Sequence, residues 1–230
     1  MNKVTIGVIV SILVVFVAMI VYSSISAQPA DYSGYDAGRI ISDTSKTGGI
    51  AEHVRGKADS SVVVVEYADF QCPGCASMMP KITQLTEKYQ DKVAFVFRHY
   101  PIQGHQNARS ASASAEAAGM QGYFWQMAEA LYANRADWIY ETGESRTDQF
   151  VKIFKSVAPD GDENAFRANL GNDSIEKKIN FDMKIGKDLS KVQATPSFFV
   201  NGEAIPINDD DSLDDYASNI EARIKAELAK

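Results

Sequence analysis

The chain has 230 residues, of which 45 % are hydrophobic and 23 % are charged, so it is long enough for one domain with a full hydrophobic core. Its 30 acidic residues outnumber the 23 lysines and arginines, and the formal net charge of −7 argues against nucleic acid as a partner. The same acidic excess argues against extended docking on an anionic lipid surface.

The N-terminus carries an uncharged apolar run from Val4 to Tyr22. A run of this length is sufficient for a helix to cross a bilayer core of roughly 30 Å. Lys3 precedes the run and no acidic residue comes before Asp31, so the positive end is expected in the cytoplasm. Residues 24–27 offer a cleavage site, but the run exceeds the ~7–15 residues usual in a signal-peptide core. We therefore predict that residues 1–27 are a retained signal anchor, a single transmembrane helix in the cell membrane with the rest of the chain outside.

Residues 28–50 are rich in glycine, serine, aspartate and threonine, which is a composition typical of a flexible stalk. Residues 51–230 are predicted to form the folded domain. The polar composition continues to Lys57, and the last part of this stretch, from Ile50, is expected to pack on the edge of the domain.

The only two cysteines lie in Cys72-Pro73-Gly74-Cys75, directly after the apolar run Val62–Tyr67 and before an amphipathic stretch. A nearly continuous apolar run is typical of a central strand covered on both faces. A C-x-x-C at a strand-to-helix junction is typical of a thiol–disulfide redox centre. A helix N-terminus lowers the pKa of a thiol, and a second thiol three residues later can resolve a mixed disulfide.

Three other interpretations of the cysteines are weaker. A structural zinc site usually needs four N or S ligands, and the chain offers two cysteines and three histidines, so no metal or other cofactor is expected. A structural cross-link that closes so short a loop removes little chain entropy. Two inert buried thiols are typical of a cytosolic protein, and the N-terminal segment argues against that compartment.

The next segments predict a βαβ unit followed by helices. Met78, Ile82, Leu85 and Tyr89 fall at helical spacing, and residues 93–97 predict the next strand. Helical stretches are then predicted at residues 107–119, 123–133, 147–157, 163–170 and 174–189. The simplest architecture is an α/β fold whose mixed sheet is interrupted by a helical subdomain at about residues 105–190.

The C-terminal part predicts a hairpin and a closing helix. Ser197–Val200 and Glu203–Ile207 flank Asn201-Gly202, which is a strong hairpin signal. Apolar residues at helical spacing from Leu213 to Leu228 predict the closing helix.

Four groups of motifs occur in order along residues 51–228. They are His53–Lys57 with Glu66–Cys75, Phe97–Pro101 with His105 nearby, Gly122–Trp125, and Thr195–Gly202. In combination they resemble the DsbA-like thiol–disulfide oxidoreductases of the thioredoxin superfamily, and the membrane-tethered bacterial members most of all. The resemblance implies a thioredoxin fold with an inserted helical subdomain, preceded by an N-terminal transmembrane helix.

The resemblance also implies roles for five residues. Cys72 is implied to be the exposed nucleophile and Cys75 the buried resolving thiol, and the two are implied to form the Cys72–Cys75 disulfide. Thr195 and Pro196 are implied to form a cis-proline loop that faces this disulfide and binds substrate. Glu66 occupies the place of a buried acid that can relay the proton of Cys75, although a strand-edge glutamate paired with a lysine accounts for it equally well. 

We therefore expect an extracytoplasmic enzyme that donates its disulfide to exported cysteine-containing proteins. A membrane quinone-linked thiol oxidoreductase is the expected partner for reoxidation. The Pro-Gly dipeptide departs from the DsbA pattern with a histidine between the cysteines, so one electropositive contribution is missing. A membrane-tethered disulfide reductase or isomerase is the alternative function, and a non-catalytic chaperone or metal-binding module is a further one.

Overall fold

The computed structural model of the chain describes residues 2, 9, 11–19, 31–208 and 210–230. It forms two compact units, Met1–Gly34 and Tyr35–Lys230. In the first unit residues 11–19 are helical, and their large apolar side chains are between 55 % and 63 % exposed. Apart from residues 2, 9 and 11–19, the predicted anchor over residues 1–27 lies outside the described residues. Within the described part, no helix is both long enough and apolar enough to span a membrane.

The second unit is built on a five-stranded mixed sheet with the strand order β1-β3-β2-β4-β5. Its strands are β1 (His53–Gly56), β2 (Val63–Ala68), β3 (Ala94–His99), β4 (Ser197–Val200) and β5 (Glu203–Ala204). The central strand β2 runs parallel to β3 and antiparallel to β4, while β1 is antiparallel to β3 and β5 is antiparallel to β4. The parallel β2–β3 pair confirms the predicted βαβ unit.

Helices flank the sheet and fill the long connection between β3 and β4. They are α1 (Pro73–Tyr89), α2 (Ala108–Gly119), α3 (Phe124–Ala133), α4 (Arg135–Trp138), α5 (Gly143–Val157), α6 (Glu163–Asn169), α7 (Asp173–Asp188) and α8 (Leu213–Leu228). Because α2 to α7 all lie between β3 and β4 in the chain, the predicted helical insertion at about residues 105–190 is confirmed. The short helix α4 was not predicted, and β5 has only two of the five predicted residues.

Two hydrophobic cores hold these elements together. In the first, Val64 and Phe198 of the sheet pack with Met78 of α1 and Ile220 of α8. The second core fills the helical insertion and its contact with the sheet, and it includes both cysteines. The redox motif therefore lies where the sheet meets the insertion.

Residues 35–50 pack on the domain, which corrects the prediction of a flexible stalk over residues 28–50. The fully buried guanidinium of Arg98 donates to the carbonyl oxygens of Ala37 at 2.6 Å and Arg39 at 2.7 Å. A polar composition predicted a solvated segment, but these carbonyls accept hydrogen bonds from a buried charge on β3 and so fix the segment in place. We call residues 35–52 the N-terminal arm.

Close contacts along the arm confirm that it is ordered. Gly38 approaches the β4–β5 turn so closely that a Cβ atom on it would lie 2.5 Å from the Cα of Gly202, so only glycine fits there. Further along, Ile41 is buried and its amide donates to the carboxylate of Glu52 at 2.9 Å. The arm then leads directly into β1, an edge strand that was not predicted.

Candidate active site

The two cysteines lie at the start of α1. Cys72 is the N-cap residue with an extended backbone (φ −68°, ψ 124°), and Pro73 is among the first helical residues, where no N–H is needed. The amide of Cys72 donates to the carbonyl oxygen of Asp69 at 3.0 Å, and Cys75 lies one turn inside the helix. The first amides of α1 therefore point toward the Cys72 sulfur, where they favour a negative charge.

Both cysteines are free thiols in this structure, which therefore describes the reduced pair. Cys72 is 7 % exposed and Cys75 is fully buried, so Cys72 is the more accessible of the two. The expectation of an exposed nucleophile needs correction, because Cys72 is buried and the Thr195 carbonyl oxygen contacts its sulfur. The Cys72–Cys75 disulfide is the oxidised form of this pair and stays a prediction.

The two thiols differ strongly in acidity. A hydrogen bond from the Cys75 thiol, together with the Thr195 side chain and the amides of Cys75 and Gly74, lowers the pKa of Cys72 to about 5 despite its burial. Burial and the hydrogen bond to Cys72 raise the pKa of the Cys75 thiol well above its usual value. At neutral pH Cys72 is therefore a thiolate and Cys75 a thiol, which suits a nucleophile and a resolving group.

The loop before β4 faces Cys72. The Thr195–Pro196 peptide bond is cis, as the resemblance implies. The Cys72 thiol donates to the Thr195 carbonyl oxygen at 3.2 Å, while the buried Thr195 hydroxyl has no hydrogen-bond partner among the described residues. When Cys72 ionises, its sulfur becomes an acceptor for the Thr195 hydroxyl, which is how the Thr195 side chain lowers the Cys72 pKa. A Cβ atom at Gly74 would lie 3.3 Å from the Pro196 ring, so a glycine between the cysteines lets this loop approach.

Glu66 lies on the central strand, paired in register with Phe97 on one side and Phe198 on the other. Its side chain lines a cavity of about 20 Å³, which is the size of one water molecule. Burial raises the pKa of Glu66 to about 8, and the Glu66 charge is one cause of the raised Cys75 pKa. Among the described residues Glu66 has no ion-pair partner, which weighs against a glutamate paired with a lysine.

Replacing Glu66 with glutamine is expected to remove a pH-dependent loss of stability. Folding raises the pKa of Glu66 from 4.5 to about 8. The contribution of Glu66 to stability should therefore be fully present below pH 4.5 and be lost, by up to about 5 kcal/mol, as the pH rises through 8. Urea melts at several pH values of the oxidised protein, in which Cys72 does not titrate, should show this loss in the wild type and in Glu87→Gln, an exposed control on α1, but not in Glu66→Gln. An identical pH dependence in wild type and Glu66→Gln would contradict a raised Glu66 pKa.

Asp69, which the sequence analysis did not single out, holds the loop that leads to Cys72. Its fully buried carboxylate accepts hydrogen bonds from the amides of Gln71 at 2.7 Å and Ile102 at 2.9 Å, and it bonds Nδ1 of His105 at 2.7 Å. These contacts tie the redox motif to the loop after β3. An aspartate that bonds the amide two residues ahead is a common turn device, and this was the available sequence signal.

Glu116 on α2 is a second functional candidate that sequence reasoning missed. Nε2 of His53 and Nε2 of His99 lie 2.9 Å and 2.7 Å from the same Glu116 oxygen. Burial opposes the charge of Glu116, but the two imidazoles outweigh it and hold its pKa well below the usual range. The three ligand atoms lie within 4.8 Å of one another, a spacing that could hold a metal ion, and here they bond each other. The cluster joins β1, β3 and α2.

The structure brings the predicted site residues together to different degrees. Cys72, Cys75, Thr195 and Pro196 meet directly at the N-terminus of α1. Glu66 acts on this group through its charge on Cys75 rather than through a hydrogen bond. A cysteine pair in this setting, on a mixed sheet with a helical insertion, defines a thioredoxin-fold dithiol protein.

Comparison with known proteins agrees with this definition. A profile of the family described as Thioredoxin matches residues 49–222. A Bacillus cereus protein named probable disulfide bond formation protein D is 33 % identical over 156 residues, which cover 64 % of this chain and 68 % of that protein. The chain belongs to the thioredoxin family, within its DsbA-like thiol–disulfide oxidoreductases.

Other curated relatives share only a segment with this chain. A Na⁺/H⁺ antiporter of Salinispora arenicola is 38 % identical over 152 residues, which are 66 % of this chain but 22 % of the antiporter. The chain thus spans about a fifth of that relative's length. Antiport is the named activity of that whole protein, and the similarity concerns the segment alone.

Solved structures share the fold over most of the chain. BdbD from Bacillus subtilis has a TM-score of 0.64 and 24 % identity, covering 84 % of this chain and 99 % of that one. DsbA2 from Pseudomonas aeruginosa has a TM-score of 0.59 and 25 % identity, covering 76 % of this chain and 96 % of that one.

Proposed function

We propose that this oxidoreductase donates its disulfide to other proteins. The observation that carries the proposal is the contrast between an acidic Cys72 thiol and a Cys75 thiol that resists ionisation. A stabilised thiolate favours the reduced protein, and a dithiol protein whose reduced form is stabilised is an oxidant when it carries the disulfide. The name of the Bacillus cereus relative, a probable disulfide bond formation protein, supports the same direction.

In the proposed reaction a substrate thiolate attacks the Cys72 sulfur of the Cys72–Cys75 disulfide. The bond between the two cysteines breaks, a mixed disulfide forms on Cys72, and the electron pair leaves on Cys75, which takes a proton relayed from Glu66 through a water molecule. A second substrate thiolate then attacks the substrate sulfur of the mixed disulfide and releases Cys72 as a thiolate. The substrate gains a disulfide, and its two electrons remain on the protein as the dithiol. Glu66 regains its proton from solvent.

The proposed substrate contact is the loop at Thr195 and Pro196. The Thr195 carbonyl oxygen lies 3.2 Å from the Cys72 sulfur, so a chain bonded to Cys72 must lie against this loop. Backbone groups there can bind an extended segment of many sequences, because main-chain hydrogen bonds do not depend on side chains. Such a contact suits an enzyme that acts on many cysteine-containing proteins.

Disulfide donation is tested with reduced, unfolded ribonuclease mixed with the oxidised protein. We expect ribonuclease activity to appear as the protein is converted to its dithiol form, because donation consumes one protein disulfide for each substrate disulfide. The matched assay is reduction of insulin by the dithiol form with a recycling reductant. Fast reduction of insulin without oxidation of ribonuclease would show that the protein is a reductase and not a disulfide donor.

The location proposed for the enzyme is the outer face of the cell membrane, with residues 1–27 as its anchor. The support is the apolar run Val4–Tyr22 and the uncharged helix over residues 11–19 with its exposed apolar side chains. Its substrates are then exported cysteine-containing proteins, and a membrane quinone-linked thiol oxidoreductase restores the disulfide. Carbonate extraction should leave the chain in the membrane fraction. A mature protein that begins at Gln28 would rule out the anchor and leave the redox function intact.

A further inference from the structure

A buried arginine joins the N-terminal arm to the sheet. The guanidinium of Arg98 is fully buried and donates four hydrogen bonds of 2.6 Å to 3.0 Å, to Glu52, to the carbonyls of Ala37 and Arg39, and to the phenol oxygen of Tyr67. An arginine has five N–H donors in a rigid plane, so four defined acceptors fix the relative positions of the groups that supply them.

The phenol of Tyr67 extends this network to the loop before β4. Tyr67 is fully buried, and its oxygen lies 2.9 Å from Oγ of Ser190. Because the oxygen already accepts from Arg98, the phenol hydrogen is satisfied by donating to Ser190, and a buried hydroxyl hydrogen without a partner is unfavourable. Ser190 follows α7 and precedes Thr195 by five residues, so it lies at the start of the loop that covers Cys72.

A second tyrosine holds the same loop two residues further on. The hydroxyl of Tyr100 donates to the carbonyl oxygen of Val192 at 3.0 Å, and its ring meets the Tyr67 ring edge-on with centroids 6.1 Å apart. Gly186 lies against both rings, and a Cβ atom on it would be 2.9 Å from each. The two tyrosine rings therefore form a rigid support for residues 190–194.

We propose that Tyr67 is a positioning residue for thiol–disulfide exchange, and that the N-terminal arm helps to set the position of the Thr195–Pro196 loop over Cys72. The path of contacts runs from the arm through Arg98 and Tyr67 to Ser190. This inference rests on the function proposed above, since the same loop is the proposed substrate contact.

The position of the loop affects chemistry because Thr195 contacts the Cys72 sulfur. Its carbonyl oxygen lies 3.2 Å from that sulfur, and its side chain is one of the groups that lower the Cys72 pKa. A loop that loses its anchor at Ser190 holds Thr195 less firmly. The Cys72 pKa and the binding of substrate should then change together. If Tyr67 only stabilised the fold, its loss would lower stability and leave both of these properties unchanged.

The test is Tyr67→Phe in the full-length chain, which removes one hydroxyl group and keeps the ring. Tyr89→Phe is the matched control, because the Tyr89 hydroxyl also donates to a single partner, Glu221 at 2.7 Å, and Tyr89 ends α1 at the opposite end from Cys72. The first readout is the Cys72 pKa from the ultraviolet absorbance of its thiolate. The second is the pair kcat and KM for oxidation of a dithiol peptide.

We expect Tyr67→Phe to raise the Cys72 pKa and to raise KM by about 5-fold, the effect of one lost hydrogen bond, with a smaller change in kcat. Tyr89→Phe should match the wild type in both readouts. Ser190→Ala removes the other partner of the Tyr67–Ser190 hydrogen bond and should raise the Cys72 pKa in the same way. If Tyr67→Phe does not fold, Ser190→Ala alone tests the positioning role. An unchanged Cys72 pKa in either folded variant, or an equal shift in Tyr89→Phe, overturns the positioning role. The pKa readout needs no substrate, so its outcome is distinguishable from a failure of disulfide donation.

Discussion

Substitution of Cys72 by serine is expected to reduce thiol–disulfide exchange to the uncatalysed rate. Exchange uses the Cys72 sulfur both as an attacking thiolate and as the attacked atom of the disulfide, and a serine hydroxyl neither ionises near neutral pH nor forms a disulfide. The measurement is oxidation of a dithiol peptide by each variant after treatment with an oxidant. Folding of Cys72→Ser is checked by its urea melt, because Cys72 packs in the core that joins sheet and insertion.

Substitution of Cys75 is expected to leave exchange arrested at the mixed disulfide. Cys72 of such a variant can attack a substrate disulfide, but the variant has no Cys75 thiol to resolve the resulting mixed disulfide, and it cannot form the Cys72–Cys75 disulfide that is donated. Cys75→Ser and Cys75→Ala form a matched pair, because the hydrogen bond from Cys75 is the largest cause of the lowered Cys72 pKa. Serine retains a donor and alanine does not, so the Cys72 pKa should be higher in Cys75→Ala. Normal turnover by Cys75→Ser would show that the two roles are assigned wrongly.

The reduced protein is expected to be more stable than the oxidised protein at pH 7. Folding lowers the pKa of Cys72 from 9.0 to about 5, so the folded state is deprotonated at pH 7 while the unfolded state is not. That difference stabilises the folded dithiol by about 3 kcal/mol. The disulfide stabilises the oxidised form by restricting its unfolded chain, but a loop this short gives at most about 2 kcal/mol.

The pH dependence of this stability difference provides its control. A lowered folded-state pKa gives stability that is present at high pH and is lost as the pH falls through about 5. The advantage of the reduced form should therefore grow by about 1.4 kcal/mol for each pH unit between 6 and 8. Below about pH 6 the oxidised form should become the more stable, because the contribution of the thiolate then falls below the roughly 2 kcal/mol that the disulfide supplies. Paired urea melts with and without reductant measure the difference, and a difference that does not change with pH would contradict a thiolate at Cys72.

Local pattern was sufficient to predict the elements that carry the cysteines. The continuous apolar run at residues 62–67 predicted the central strand, observed as Val63–Ala68, and the helical spacing from Met78 to Tyr89 predicted α1. The closing helix was predicted from Leu213 and begins there, because Ser212 and Asp215 form a capping box. In each case the residues that determine the element lie within it or directly before it.

Long-range contacts determine what could not be predicted. The N-terminal arm has no apolar periodicity, and its order comes from Arg98, which lies about 60 residues further along the chain. Likewise β1 has only four residues and exists through its pairing with β3. The contact of Cys72 with Thr195 joins residues more than 120 positions apart, and no local pattern around the cysteine predicts it.

The reduction potential of the Cys72–Cys75 pair tests the donor function most directly. Equilibration of the full-length protein with glutathione redox buffers, followed by trapping of free thiols, measures it. Because the Cys72 thiolate stabilises the reduced form, we predict a potential above about −200 mV, more oxidising than the glutaredoxins. A potential near that of thioredoxin, about −270 mV, would show that the protein is a reductant and would contradict disulfide donation.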